Sequence, residues 1–91
     1  MGGYDAEGCA VHMHELKTLA EYYDAVDRGD KTFEIRIDDR GFAVGDVLYL
    51  VETRVDGSRT GRSSHYKVTY LTEFSQQEGW VVMAIVPDPG F

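Results

Sequence analysis

Lys31, Glu34, Arg36 and Arg40 stand within ten residues of one another, a density of mixed charge that suits the recognition of an anion or of a base edge. From residue 31 to residue 37 the chain alternates, with Phe33, Ile35 and Ile37 against Thr32, Glu34 and Arg36, which is the period of a strand with one wet face. On this reading Phe33 and Ile35 pack inward while Glu34 and Arg36 project together from the other face. An arginine fork holds phosphate or a carbonyl edge, and a carboxylate accepts from the exocyclic amine of a base. Lys31 and Glu34 are also the candidates for acid–base catalysis, although a lysine needs desolvation before it serves as a general base. Arg40 falls in the loop after the strand, where an arginine can follow a nucleic-acid backbone. His14 and Lys17 are candidates for the entrance of the same pocket. The plainer alternative is a Glu34 to Arg36 neighbour pair that stabilises by a few tenths to about 1 kcal/mol, with Lys31 facing the C-terminus of a helix.

Other chemistries lack their residues. His12 and His14 share a strand face, but a zinc site needs three or four ligands in tetrahedral order. Cys9 is the lone cysteine and His65 the remaining histidine, so no metal is expected, and no cofactor either. Gly41, Gly45, Gly57 and Gly61 fit neither a nucleophile elbow, a Walker loop nor a dinucleotide fingerprint. Tyr22, Tyr23, Tyr49, Tyr66, Tyr70 and Trp80 include stacking platforms for bases, most of them assigned to the core by their places on apolar stripes or in strand alternation.

The elements that must position these residues follow from pattern. Residues 1–10 have no hydrophobic period and read as a loose leader, with one domain over 11–91. Residues 11–17 form a first strand. Thr18 with Glu21 three residues later is a capping box that starts a helix of about three turns. Leu19, Tyr22, Tyr23 and Val26 form its buried stripe, and Gly29 its exit. Strands follow at residues 31–37, 47–54, 64–71 and 80–86. Asp56-Gly57 marks the hairpin, Gly61 extends that connection, and Tyr66, Val68 and Tyr70 share a face. The fold class is therefore α+β and mainly β, five strands with one helix between the first two, curved into a small barrel that hides its edges.

Charge narrows the site. The 91 residues carry a net charge of −7, which disfavours a long phosphate-backbone footprint. Residues 1–27 and 68–91 are acidic, whereas residues 28–67 hold eight of the nine cations, so an anion site belongs in the middle. No apolar run approaches the roughly twenty residues of a membrane span. With no secretory pattern and a single cysteine, the expected compartment is the cytoplasm.

The ordered run His14-Glu15-Leu16-Lys17, then residues 29–36 (Gly29, Asp30, Lys31, Thr32, Phe33, Glu34, Ile35, Arg36), then Asp39-Arg40 with Phe42, then Val44-Gly45-Asp46-Val47-Leu48, resembles an ASCH-type domain of the PUA-like superfamily. It is similar to small bacterial and phage proteins with the same run, over residues 12–86. The resemblance implies a small PUA-like β-barrel with a helix between its first two strands, in a superfamily whose relatives bind RNA and some of which act on modified bases. Some ASCH relatives are amidohydrolases that use a lysine, a threonine and a late glutamate. Lys31 matches that lysine, Glu34 stands at the threonine position, and no late helix is expected between Leu71 and Trp80.

Three functions follow as expectations. The first is a non-catalytic module that binds RNA or a modified nucleotide through His14, Lys17, Lys31, Glu34, Arg36 and Arg40, in a pocket between the helix and the second strand. The second is a small hydrolase acting on a modified nucleoside or RNA through Lys31 and Glu34. The third is a protein-interaction domain whose acidic ends meet a basic partner.

Overall fold

The computed structural model describes residues 11–88, in the order β1 (Met13–Leu19), α1 (Ala20–Asp27), β2 (Phe33–Ile37), β3 (Val47–Thr53), β4 (Arg59–Thr72) and β5 (Trp80–Pro87). The five strands make one sheet in the order β1-β3-β4-β5-β2, parallel between β1 and β3 and antiparallel elsewhere. The first two strands of the chain are thus the two edges of the sheet, which curls into a half-barrel until those edges face each other. The expected leader lies outside the described residues.

One side of the curl is the core. Leu16, Leu48, Leu50, Tyr66, Val68, Val81, Met83 and Ile85 meet there with Tyr23 and Val26 from α1 and Phe42 from the loop after β2. The helix lies across this concave face. The Tyr23 hydroxyl is 2.7 Å from Ser64 Oγ, and the Arg62 guanidinium sits 4.8 Å above the Tyr23 ring while bonding Asp24 at 3.0 Å. That bond to Asp24 holds Arg62 above its usual arginine range. At the helix end Gly29 takes a left-handed φ of 83°, and the amides of Gly29 and Asp30 donate back to Val26 and Ala25. This is a Schellman closure, which glycine adopts without the clash of a Cβ.

Several boundaries differ from the sequence expectation, each for a physical reason. Thr18 is not a helix cap: it is a buried residue of β1, its hydroxyl donates to Leu16 O at 3.2 Å, and no side chain caps the helix. The parallel ladder with β3 continues through Thr18 and Leu19, and two more ladder positions outweigh one cap bond. The helix is consequently eight residues long, about two turns, with Tyr23 and Val26 buried while Leu19 and Tyr22 stay exposed.

In β4, Gly61 belongs to the strand and not to the turn. The β3–β4 register shifts between Val51 and Thr53, and Gly61, at a φ of 99°, supplies the backbone that such a bulge needs. The hairpin turn is residues 54–58, where Asp56 Oδ1 accepts from the Ser58 amide and hydroxyl. A second shift between Val68 and Tyr70 sends Tyr70 outward to 64% exposure and turns Leu71 toward the core.

The largest correction concerns β2. Its period of two is observed, but its faces are reversed. Pairing with β5 sets Glu34 opposite Met83 and Arg36 opposite Val81, both core residues, so the polar side points into the barrel. Phe33, Ile35 and Ile37 are 40%, 45% and 53% exposed. The alternation of β5 decides this orientation, because Val81, Met83 and Ile85 are its buried side and paired residues share a face.

Accordingly, Ile35→Thr is expected to change unfolding stability by less than about 1 kcal/mol, whereas Leu50→Ala lowers it by about 2–5 kcal/mol. Urea unfolding of the two variants checks this, and an Ile35→Thr loss as large as that of Leu50→Ala would return Ile35 to the core.

Candidate functional site

Following the sheet from β1 through one parallel and three antiparallel pairings makes β1 and β2 antiparallel across the seam. No backbone pairing joins them. Two arginines bridge the gap instead. Arg36 Nη2 donates to Lys17 O at 3.2 Å and lies 3.4 Å from Thr18 Oγ1, and Arg40 Nη1 donates to Glu15 O at 2.7 Å. Side chains thus satisfy edge carbonyls that a neighbouring strand would otherwise meet.

The unpaired seam is a cleft of about 860 Å³. Its walls include the unbroken runs 16–19 and 33–37. Consecutive residues of a strand alternate between its faces, so continuous runs mean that strand edges form these walls. Tyr22 and Lys31 close the end near α1, and Asp39, Arg40, Phe42 and Trp80 close the other.

Glu34 sits at the base of this cleft with 3% of its side chain exposed. Its two oxygens are both engaged: Oε2 accepts from Lys31 Nζ at 2.7 Å and Oε1 from Arg36 Nε at 3.0 Å. A carboxylate removed from water requires such compensation. Lys31 also donates to Phe33 O at 2.8 Å and lies 5.0 Å from the Phe33 ring centroid and 6.0 Å from that of Tyr22. Glu34 therefore fixes Lys31 and Arg36 in place, where the sequence reading had it accept directly from a base.

Of the residues expected to bind a ligand, Lys17, Lys31, Glu34, Arg36 and Arg40 line the cleft. Lys17 is exposed, and its ammonium makes no hydrogen bond or ion pair among the described residues. His14 does not line it. Its Nε2 is 2.8 Å from Asp46 Oδ2 and its ring meets the edge of Phe42 at 4.8 Å, so it supports a cleft wall from behind. Asp38 Oδ1 accepts from the amides of Gly41 and Phe42, which shapes the loop that presents Arg40.

Most of the cations outside the cleft are engaged elsewhere. Arg59 pairs with Glu15 at 2.6 Å, Arg54 bonds Ser58 and Arg59 O, and Arg62 bonds Asp24 and Asp27. No group of three metal-ligating side chains occurs among the described residues, and Cys9 lies outside them. His65 stacks on Tyr49 at 4.6 Å.

Thr18, Leu19, Phe33 and Phe42 were missed as cleft residues by pattern, because a seam depends on strand order. In charge, the lining holds Lys17, Lys31, Arg36 and Arg40 against Glu34 and Asp39, four cations and two carboxylates, net +2 in a chain of net −7.

Removing one cation leaves Glu34 half compensated, so Arg36→Ala is expected to lower stability by about 1–3 kcal/mol. Adding Glu34→Gln to that variant should recover part of the loss, because a neutral amide needs no countercharge. Urea midpoints report both, and a double variant less stable than Arg36→Ala would contradict the role given to Glu34.

Comparison with known proteins places this geometry in a family. The profile described as "Domain of unknown function (DUF3850)" matches residues 13–85, which include every residue lining the cleft. The chain is also 41% identical over 63 residues to a protein of Escherichia phage P2 described as "Uncharacterized 12.9 kDa protein in GpA 3'region", covering 69% of this chain and 57% of that protein. The chain thus matches little more than half the length of this relative. From the first strand through the last, including both edges of the seam, this chain belongs to the DUF3850 family.

Proposed function

We propose that the protein is a non-catalytic nucleic-acid-binding module of the ASCH type in the PUA-like superfamily, which takes a single-stranded RNA segment or one modified nucleotide in the seam cleft, in the cytoplasm. The observation that carries this reading is a cleft of net +2 in an acidic chain, with the aromatic side chains of Tyr22, Phe33 and Trp80 along its walls. Positive charge draws phosphate, and rings offer stacking surface to an unpaired base. Binding is favoured over hydrolysis by the bonding at Glu34 and Lys31. The carboxylate holds two cations, and the lysine donates to both a carbonyl and a carboxylate, so neither group stands free to move a proton.

The test is a titration of labelled short RNAs and DNAs, with and without modified bases, against wild type, Lys17→Ala and Arg36→Ala at two salt concentrations. Wild type should bind single strands with a salt dependence equivalent to about two or three phosphates. Each variant should lose roughly tenfold in affinity, and circular dichroism should show that both remain folded. A slope equivalent to about six or more phosphates, or unchanged binding in both variants, would overturn the reading.

A further inference from the structure

We propose that the Arg40 end of the cleft is a site for a terminal phosphate, a phosphomonoester clasped between Arg36 and Arg40 at the place where these side chains now hold the edge of β1. The inference rests on the nucleotide-binding reading and assigns which part of the ligand the seam takes.

Three observations converge on it. The first is spacing. Arg36 Nη2 and Arg40 Nη1 reach the carbonyls of Lys17 and Glu15, which are two residues apart on one strand and therefore about 6.6 Å apart by the rise of a β-strand. Both guanidinium groups therefore reach the same short stretch of one edge, and donors brought to two oxygens of a single phosphate, each at about 2.8 Å, would clasp it between them.

The second is exchange of acceptors. Arg36 Nε stays on Glu34, while the partners of Arg36 Nη2 and Arg40 Nη1 are neutral oxygens at the strand edge, and an ionised phosphate is the stronger acceptor for a guanidinium. The released carbonyls of Glu15 and Lys17 would be met by water. Asp39, the carboxylate paired with Arg40 at 3.6 Å, is 70% exposed along its side chain, so solvent screens its competition.

The third is charge. Net +2 over the cleft lining balances the dianion of a phosphomonoester, which carries about −1.5 to −2 near neutral pH. A single internal phosphodiester brings one charge and leaves the lining at about +1. From this end β2 runs from Ile37 back to Phe33, about 13 Å by strand rise, which leaves the length of a nucleoside before the rings of Phe33 and Tyr22. Base and phosphate thereby take opposite ends of one cleft.

The experiment compares single-stranded oligonucleotides of one sequence carrying a 5′-phosphate, a 3′-phosphate or hydroxyls at both ends, titrated against wild type and Arg40→Ala. Inorganic phosphate is run separately against the same two proteins by calorimetry. Arg40 is an exposed loop residue, and its variant is checked for wild-type unfolding behaviour. One of the phosphorylated strands should bind at least about tenfold more tightly than the hydroxyl strand, and Arg40→Ala should abolish that preference.

Equal affinity for all three strands would overturn the phosphate site while leaving the nucleotide reading intact. A preference that survives Arg40→Ala would also overturn it. If no strand binds, the nucleotide reading falls. In that case inorganic phosphate bound by wild type and not by Arg40→Ala would still support the phosphate site, and its absence from both would end the proposal.

Discussion

The buried carboxylate of Glu34 organises this small protein. With both oxygens held, by Lys31 and by Arg36, it lets the polar side of an edge strand face the core and fixes the direction in which Arg36 leaves the strand. Arg36 then reaches the opposite edge of the sheet at Lys17 O and Thr18 Oγ1. Two features depend on that ion cluster: β2 can keep the polar side that β5 turns inward, and Arg36, with Arg40, ties the half-barrel across its seam by side chains and not by a ladder. A ladder would have closed the barrel and filled the cleft. The arginine bridge leaves it open.

That arrangement also explains how an acidic protein can present a positive site. Most of its cations are neutralised where they stand, with Arg59 on Glu15 and Arg62 on Asp24 and Asp27. Around the cleft the balance is reversed, because Glu34 is shared by two cations while Lys17 has no partner among the described residues. Field lines concentrate in a concave site where one sign of charge is in excess, so distribution matters more than the sum.

Much of the fold was legible because it rests on local pattern. The alternation in the second and fourth strands, the Asp56-Gly57 hairpin and the helical exit at Gly29 are written in short stretches of sequence, and five strands with one helix are what the described residues contain. The candidate ligand residues were legible for a similar reason: Lys31, Glu34 and Arg36 are near neighbours, and a strand brings alternate residues to one side. What pattern did not show depends on partners distant in sequence. Alternation in β2 defines two faces without saying which is inside, and the choice was made by Met83 and Val81 across the ladder. Thr18 satisfied a local capping rule, yet pairing with Glu52 drew it into a strand. The bulges near Gly61 and Thr69 shift register within strands of ordinary composition. The seam itself, with Phe42 and Leu19 on its walls, arises from strand order, which no window of adjacent residues contains.

The central claim, that the seam between β1 and β2 is the working surface, is tested most directly by mapping amide chemical shifts of isotopically labelled protein during titration with a short single-stranded RNA. The account predicts perturbations gathered on residues 16–19, 31–37 and 39–42 and on Trp80, the residues around the cleft, with the hairpin at residues 54–58 unmoved. Perturbations gathered on that hairpin, or on the exposed outer residues Tyr70 and Val86, with the seam silent, would contradict it.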